Sequence, residues 1–355
     1  MTFEVPTGRE EAFRFTPVKR IEDALASSAP GKVVIERSAG SGVDFRSCER
    51  GSDPRLGSLL TPADRYEALA ADGYERAGVL TVPRHTAPGE ATIVTVRGEG
   101  GLAFAHLLVD VEEGAEATVV LDHSGSATFL ANAEFRVGDG ARLTVVSLQD
   151  WDDDAVHLGT HVAAVGRDAT FRSIVVSLGG GVVRLVPKVT FTAPGGDAEL
   201  LGLFFADAGQ HLEHRLLVDH AVSHCRSRVT YKGALQGEGA HTVWIGDVII
   251  AADTVGTDTY ELNRNLVLSD GAHADSVPNL EIYSGEVVGA GHASATGRFD
   301  DQQLFYLESR GIPADEARRL VVRGFFADVV QRIEVPALRE RLENAIEAEL
   351  ERSVL

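Results

Sequence analysis

The densest group of metal-competent side chains in the chain is His211-Leu212-Glu213-His214, which continues through Asp219-His220 to His224-Cys225. Imidazole, carboxylate and thiolate are all ligands for zinc or iron, so the residue types suit a metal. The spacing suits it less well. On a strand, alternate residues face opposite sides, which separates His211 from His214 and leaves His220 and His224 on one side. No second histidine pair at a fixed distance completes a set. Polar residues on the outside of a β protein also need no ligand to explain them. A second candidate is His292, in Gly289-Ala290-Gly291-His292-Ala293-Ser294-Ala295. Its small neighbours leave the imidazole unshielded and let another backbone come close. A near-neutral ring can carry a proton or offer one ligand, although a lone histidine in a glycine-rich stretch is more often a solvated turn residue.

Other chemistry is missing from the sequence. It contains no phosphate-binding Gly-Lys-Ser/Thr loop, no Gly-x-Ser-x-Gly elbow and no His-Glu-x-x-His helix. Gly179-Gly180-Gly181 lacks the helix start that a dinucleotide loop needs. Cys48 and Cys225 are too few for a disulfide framework or a four-thiolate site. The 33 Lys and Arg against 53 Asp and Glu give a net charge of −20. That charge argues against nucleic acid and anionic membrane surfaces, which need a basic face. The N-terminus has no basic-then-apolar leader and no segment approaches a membrane span, so a cytoplasmic location is expected.

The elements that must position these residues fall into three textures. Residues 1–80 are mixed and partly helical. Thr61-Pro62-Ala63-Asp64 predicts a helix start, with Tyr66, Leu69, Ala70 and Tyr74 toward one side. Ser38 to Asp53 is rich in Gly, Ser and charge and predicts a loop or linker. Residues 81–307 are short Val, Ile, Leu, Thr and Phe runs punctuated by Gly and Asp, which predicts strands. A phrase recurs there, with Ala115, Ala141, Ala169, Ala198, Ala240 and Ala272 each following Gly or Asp, at spacings of 26, 28, 29, 42 and 32 residues. A tight turn followed by a strand at a loose period predicts a β-solenoid, since no coil can bury its inner face alone. An antiparallel sandwich with similar turn spacing is the alternative. Residues 308–355 are helical. Pro313 opens one helix, with Ala317, Leu320 or Val321, Phe325 and Val329 as its stripe, and Pro336 opens another with Leu338, Leu342, Ile346 and Leu350 at four-residue spacing. Phe325-Phe326 supplies more aromatic surface than one stripe can bury, which suits either a docking site or a small local core.

Three stretches carry a resemblance: Pro278-Asn279-Leu280-Glu281-Ile282-Tyr283; Gly291-His292-Ala293 through Gly297-Arg298; and Asp300-Asp301-Gln302-Gln303-Leu304-Phe305-Tyr306-Leu307-Glu308-Ser309-Arg310-Gly311-Ile312, followed by Glu316-Ala317 and Gly324-Phe325. With weaker echoes at Val109 to Ala115 and Arg9 to Thr16, the chain resembles the SufB/SufD proteins of iron-sulfur cluster assembly over nearly its whole length. The resemblance implies a mainly β protein, a right-handed parallel β-helix flanked by N-terminal and C-terminal helical regions. In the SufB scaffold a cysteine stands at the place of Ile282, and glutamates flank the histidine corresponding to His292. Here the flanks are Gly291 and Ala293, which points to the SufD branch.

That branch implies a subunit without catalysis of its own, working with a SufB-like scaffold paralogue and a SufC-like ATPase. Leu320, Phe325 and Phe326 lie in the segment matching the family's ATPase-docking region. A transient iron-sulfur cluster, or iron, would be shared with SufB through His292, with His220, His224 and Cys225 as the lesser set, and nothing would be bound tightly by this chain alone. No flavin loop is present, and flavin is not expected. A homodimer of the isolated chain is a further arrangement. Competing readings are a β-helix polysaccharide lyase or hydrolase, which the 6% aromatic content and absent leader disfavour, and a purely structural assembly module without a metal role.

Overall fold

The computed structural model describes residues 3–38, 42–299 and 301–352. Strands β1 (Val33–Ser38), β2 (Asp44–Glu49) and β3 (Arg76–Val82) precede two long strands, β4 (Thr92–Val111) and β5 (Glu116–Val137). The chain then alternates between two stacks. One holds β6 (Arg142–Trp151), β8 (Thr170–Ser177), β10 (Asp197–Ala206), β12 (Arg226–Leu235), β14 (Val255–Val267) and β16 (Glu286–Arg298). The other holds β7 (Val156–Val165), β9 (Val182–Phe191), β11 (His211–His220), β13 (His241–Ile250) and β15 (His273–Ile282). Each strand pairs in parallel with the next member of its own stack, and β5 joins the two stacks. This is a parallel β-solenoid, and the antiparallel sandwich is excluded. Among the described residues, antiparallel pairing occurs only at the N-terminal end, in β1 with β4 and β2 with β3. The stretch expected to be a loop, Ser38 to Asp53, thus contains β2. Charged side chains there conceal an edge strand, held by pairing with β3 and by Asp53 bridging Arg46 and Arg55.

The repeated phrase is a corner. Ala115, Ala141, Ala169 and Cys225 each immediately precede a strand start, and each carbonyl accepts from the register partner, one coil on, of the residue that follows it, as Arg142 N to Ala115 O at 2.8 Å and Asp258 N to Cys225 O at 3.1 Å. Each corner alanine is at most 1% exposed, so a larger side chain would collide with the next coil. The preceding residue turns the chain in the left-handed region: Gly114 at φ 64°, Gly140 at 65°, Asp168 at 51° and His224 at 58°. The 42-residue gap has a topological cause. Ala198 lies two residues past this corner, whereas Ala240 and Ala272 belong to the opposite corner, ahead of β13 and β15. Inside the coils, Phe129, Phe135, Phe171, Phe191, Phe204, Tyr231 and Trp244 fill the lumen.

Helices lie at both chain ends: α1 (Val18–Ser27) and α2 (Arg65–Gly73) first, then α3 (Asp301–Ser309), α4 (Ala314–Val330) and α5 (Pro336–Arg352). The cap of α2 is Asp64, whose carboxylate accepts from Tyr66 N and Glu67 N, three residues later than Thr61 had suggested. Tyr66, Ala70 and Tyr74 are buried as expected. The boundaries expected at 80/81 and 307/308 fall inside β3 and α3, and the last strand ends at Arg298. Helices α4 and α5 cover the outer face of β6, β8 and β10, burying Val146, Ile174, Leu203 and Phe205 under Val322, Phe326, Leu342 and Ile346. No helix among the described residues is long and apolar enough to cross a membrane.

Candidate functional site

The solenoid is open at its C-terminal end. Strand β15 pairs with β13 alone and β16 with β14 alone, so each offers an unpaired backbone edge among the described residues. The end is also apolar, with Ile282 45%, Tyr283 63% and Val288 76% exposed. His292 is exposed on β16, in register with Glu261 of β14. Its neighbour Gly291 is small for a reason: a Cβ there would come within 3.1–3.2 Å of the Tyr260 ring. Beneath this end a polar layer closes the lumen. Asn265 Nδ2 donates to Asn263 Oδ1 at 2.9 Å, to Ser276 Oγ at 2.9 Å and to Thr296 Oγ1 at 3.2 Å, which ties β14, β15 and β16 together. Glu261 is 1% exposed and neither carboxylate oxygen has a partner. Burial, with Asp247 nearby, raises its pKa to about 8, so it holds a proton at neutral pH. The arrangement sets one accessible imidazole above a neutral polar floor at an edge ready for another strand. Ile282, in register with Ile250, adds no ligand.

The structure disperses His220, His224 and Cys225. His220 ends β11 facing inward, fully buried against Phe191, with Nε2 at 2.9 Å from Ser227 Oγ. Burial lowers its pKa to about 4. His224 is exposed and serves as the left-handed corner residue, so it shares no strand face with His220. Cys225 is 1% exposed, its Sγ contacts Ala193 O and Ser223 O, and burial pushes the thiol above its ordinary value. A buried, protonated thiol is a packing residue. Among the described residues, the group of three His, Cys, Asp or Glu whose ligand atoms all lie within 4.8 Å is His241, His273 and Asp275. Two of these directly follow the repeated turn alanines Ala240 and Ala272. Spacing alone gave no signal for the pair, since it is the parallel register of β13 on β15 that sets one ring over the other.

The three docking candidates differ in environment. Phe326 is 1% exposed and packs on Phe205, with ring centroids 6.4 Å apart. It belongs to the chain's own core. Phe325 is half-buried beneath Lys232, whose Nζ donates to Phe325 O and Asp328 Oδ1, each at 2.7 Å. Leu320 is 39% exposed, beside a groove between α4 and α5 that Arg323, Ala327 and Glu343 also line. The buried stripe of α4 is Ala317, Val322, Phe326 and Val329, shifted from the expected one because the helix rests on the sheet and α5 together. In the long matched run, Asp300 lies outside the described residues. Phe305 and Tyr306 are exposed on α3.

Residues 94–325 match the family described as "SUF system FeS cluster assembly, SufBD core domain". An iron-sulfur cluster assembly SufBD family protein of Mycobacterium bovis is 57% identical over 359 residues, covering 98% of this chain and 90% of its own. A Mycobacterium leprae member is 55% identical over 98% of this chain and 91% of its own. The iron-sulfur cluster assembly protein SufD of Escherichia coli is 28% identical over 239 residues, 66% of this chain and 56% of its own. With a matched core that spans the solenoid and reaches into α4, the chain belongs to the SufBD family of iron-sulfur cluster assembly proteins.

Proposed function

We propose that this chain is the SufD-type subunit of a Suf assembly, a non-catalytic partner that supplies one imidazole to a cluster built between two chains. The observation that carries this reading is the open end of the solenoid: two unpaired strand edges, an apolar rim, and His292 exposed between small residues. A parallel edge recruits a second β chain through backbone hydrogen bonds, and the SufB-like scaffold is the natural occupant. The nascent cluster, or its iron, is the cargo. His292 offers nitrogen from this side, and the partner provides the thiolate that Ile282 cannot.

A SufC-like ATPase would dock on the C-terminal helices at Leu320 and the α4–α5 groove, with Phe325 at its margin and Phe326 acting from beneath by holding α4 in place. Nucleotide-driven closure would then bias the edge-to-edge pairing between two states. The test is a pull-down of the full chain from its native cytosol with identification of the bound chains. A SufB-like and a SufC-like chain at comparable amounts support the proposal. Recovery of the chain alone, or only as a homodimer, opposes it.

A further inference from the structure

Successive coils stack His211, His241 and His273 in register on the outer face of β11, β13 and β15. His241 lies between the other two rings, with centroids 4.8 Å from His211 and 5.4 Å from His273. Three hydrogen bonds and one ion-pair approach run through this ladder and its two carboxylates. His211 Nε2 is 3.1 Å from Glu213 Oε2, His211 Nδ1 is 3.1 Å from His241 Nδ1, His241 Nε2 is 2.8 Å from Asp275 Oδ2, and His273 Nε2 is 3.1 Å from the same oxygen. Glu213 is ionised, since Arg184 and Thr16 also donate to it.

Each hydrogen bond needs one hydrogen between its two heavy atoms, and a neutral imidazole carries one N–H. His211 and His241 make three such bonds between them, so two neutral rings fall one hydrogen short. One positive charge is missing, and it must be supplied by a proton or a metal ion. A metal beside Asp275 satisfies every atom. His211 Nε2–H donates to Glu213, His241 Nδ1–H donates to His211 Nδ1, and the lone pairs of His241 Nε2 and His273 Nε2 join the Asp275 carboxylate around the ion. A ring nitrogen ligating while its other N–H is held by a hydrogen-bonding relay is the usual outer arrangement of a histidine metal site. With bonds of about 2.0–2.1 Å, tetrahedral ligand atoms lie ~3.4 Å apart. The observed 2.8 and 3.1 Å separations reach that spacing with shifts of a few tenths of an ångström.

We propose that His241, His273 and Asp275 form a site for a divalent first-row transition ion, with His211 and Glu213 as its outer relay. Two imidazoles and a carboxylate without a thiolate suit zinc, cobalt, nickel or iron(II) rather than copper(I). The 70% exposed side chain of His273 leaves the remaining coordination positions to water or to a group from another molecule. The site lies on the outer face of β13 and β15, whereas His292 is on β16, so it does not depend on the cluster-assembly reading.

The test is titration of the metal-free full chain with Zn2+ against a chromophoric chelator, with Co2+ absorption reporting the ligand field. One equivalent should bind. His273→Ala and Asp275→Asn should each weaken binding by at least the roughly 10–100-fold that loss of an outer partner costs, with unchanged circular dichroism. His292→Ala should bind the equivalent normally, which separates this site from the proposed cluster ligand. If the wild-type chain takes up no ion, or if both site variants bind as it does, the missing charge is a proton and the proposal fails.

Discussion

At the residue scale, similar side chains perform different work according to where the coil places them. Cys225 has the chemistry of a ligand and the position of a corner alanine. Cys225→Ser should therefore leave iron-sulfur maturation intact in cells, with a stability cost of about 1 kcal/mol for a hydroxyl in a thiol's place. Complete loss of maturation with stable protein would contradict this. Glu261 is the opposite case, a carboxyl without partners. Its folded pKa of about 8 lies above its unfolded value near 4.5, so the folded state binds the extra proton across that window. Stability then falls as pH rises toward 8. Glu261→Gln removes this penalty, and denaturant unfolding should show a gain on the order of 1–3 kcal/mol at pH 8 that shrinks toward pH 5. An equal effect at both pH values would mean that Glu261 is not protonated by burial.

At the element scale, α5 was legible and α4 only in part. Leu338, Leu342, Ile346 and Leu350 recur at a spacing that one helix face must bury, and all four are at most 8% exposed. In α4, apolar residues occur on several sides, so the sequence offered competing stripes, and the sheet beneath selected Val322 and Phe326 over Val321 and Phe325. Phe326→Ala should accordingly cost about 3–5 kcal/mol of stability through the cavity it leaves, read as a lower denaturation midpoint. Leu320→Ala should change stability by no more than ~0.5 kcal/mol while weakening association with the proposed SufC-like ATPase. The reverse pattern would place the docking surface elsewhere. Strand β2 was illegible because its exposed charged residues reflect an edge position rather than a loop.

At the scale of the whole molecule, the repeat disclosed the solenoid because every coil needs a small corner residue. It could not disclose the second corner, since the phrase passes from one stack to the other without changing its letters. The histidine ladder was hidden for the same reason, as register rather than spacing brings His241 to His273. The stacked interior also imposes a pH dependence. Burial lowers His123 and His220 to a pKa of about 4 and His161 and His214 to about 3, and His157 well below its ordinary value. These rings are neutral when folded and take up protons when unfolded below pH ~6.5. Their contribution is complete above that pH and is lost as it falls, each ring by up to about 1.4 kcal/mol per pH unit between 6.5 and its folded value. Stability should drop steeply between pH 6.5 and 4, which thermal unfolding across that range will show. A flat profile would mean that the rings are hydrated inside the coils.

The open end of the solenoid is proposed to bring His292 to a cluster shared with a second chain. The most direct measurement is the iron and sulfide content of the anaerobically purified complex carrying His292→Ala, against wild type at equal subunit stoichiometry. Because an exposed substitution changes stability by only ~0.5 kcal/mol, the complex should assemble and hydrolyse ATP normally yet hold markedly less iron. A variant complex with wild-type iron and sulfide would contradict the ligand role and leave this chain as a structural half of the assembly.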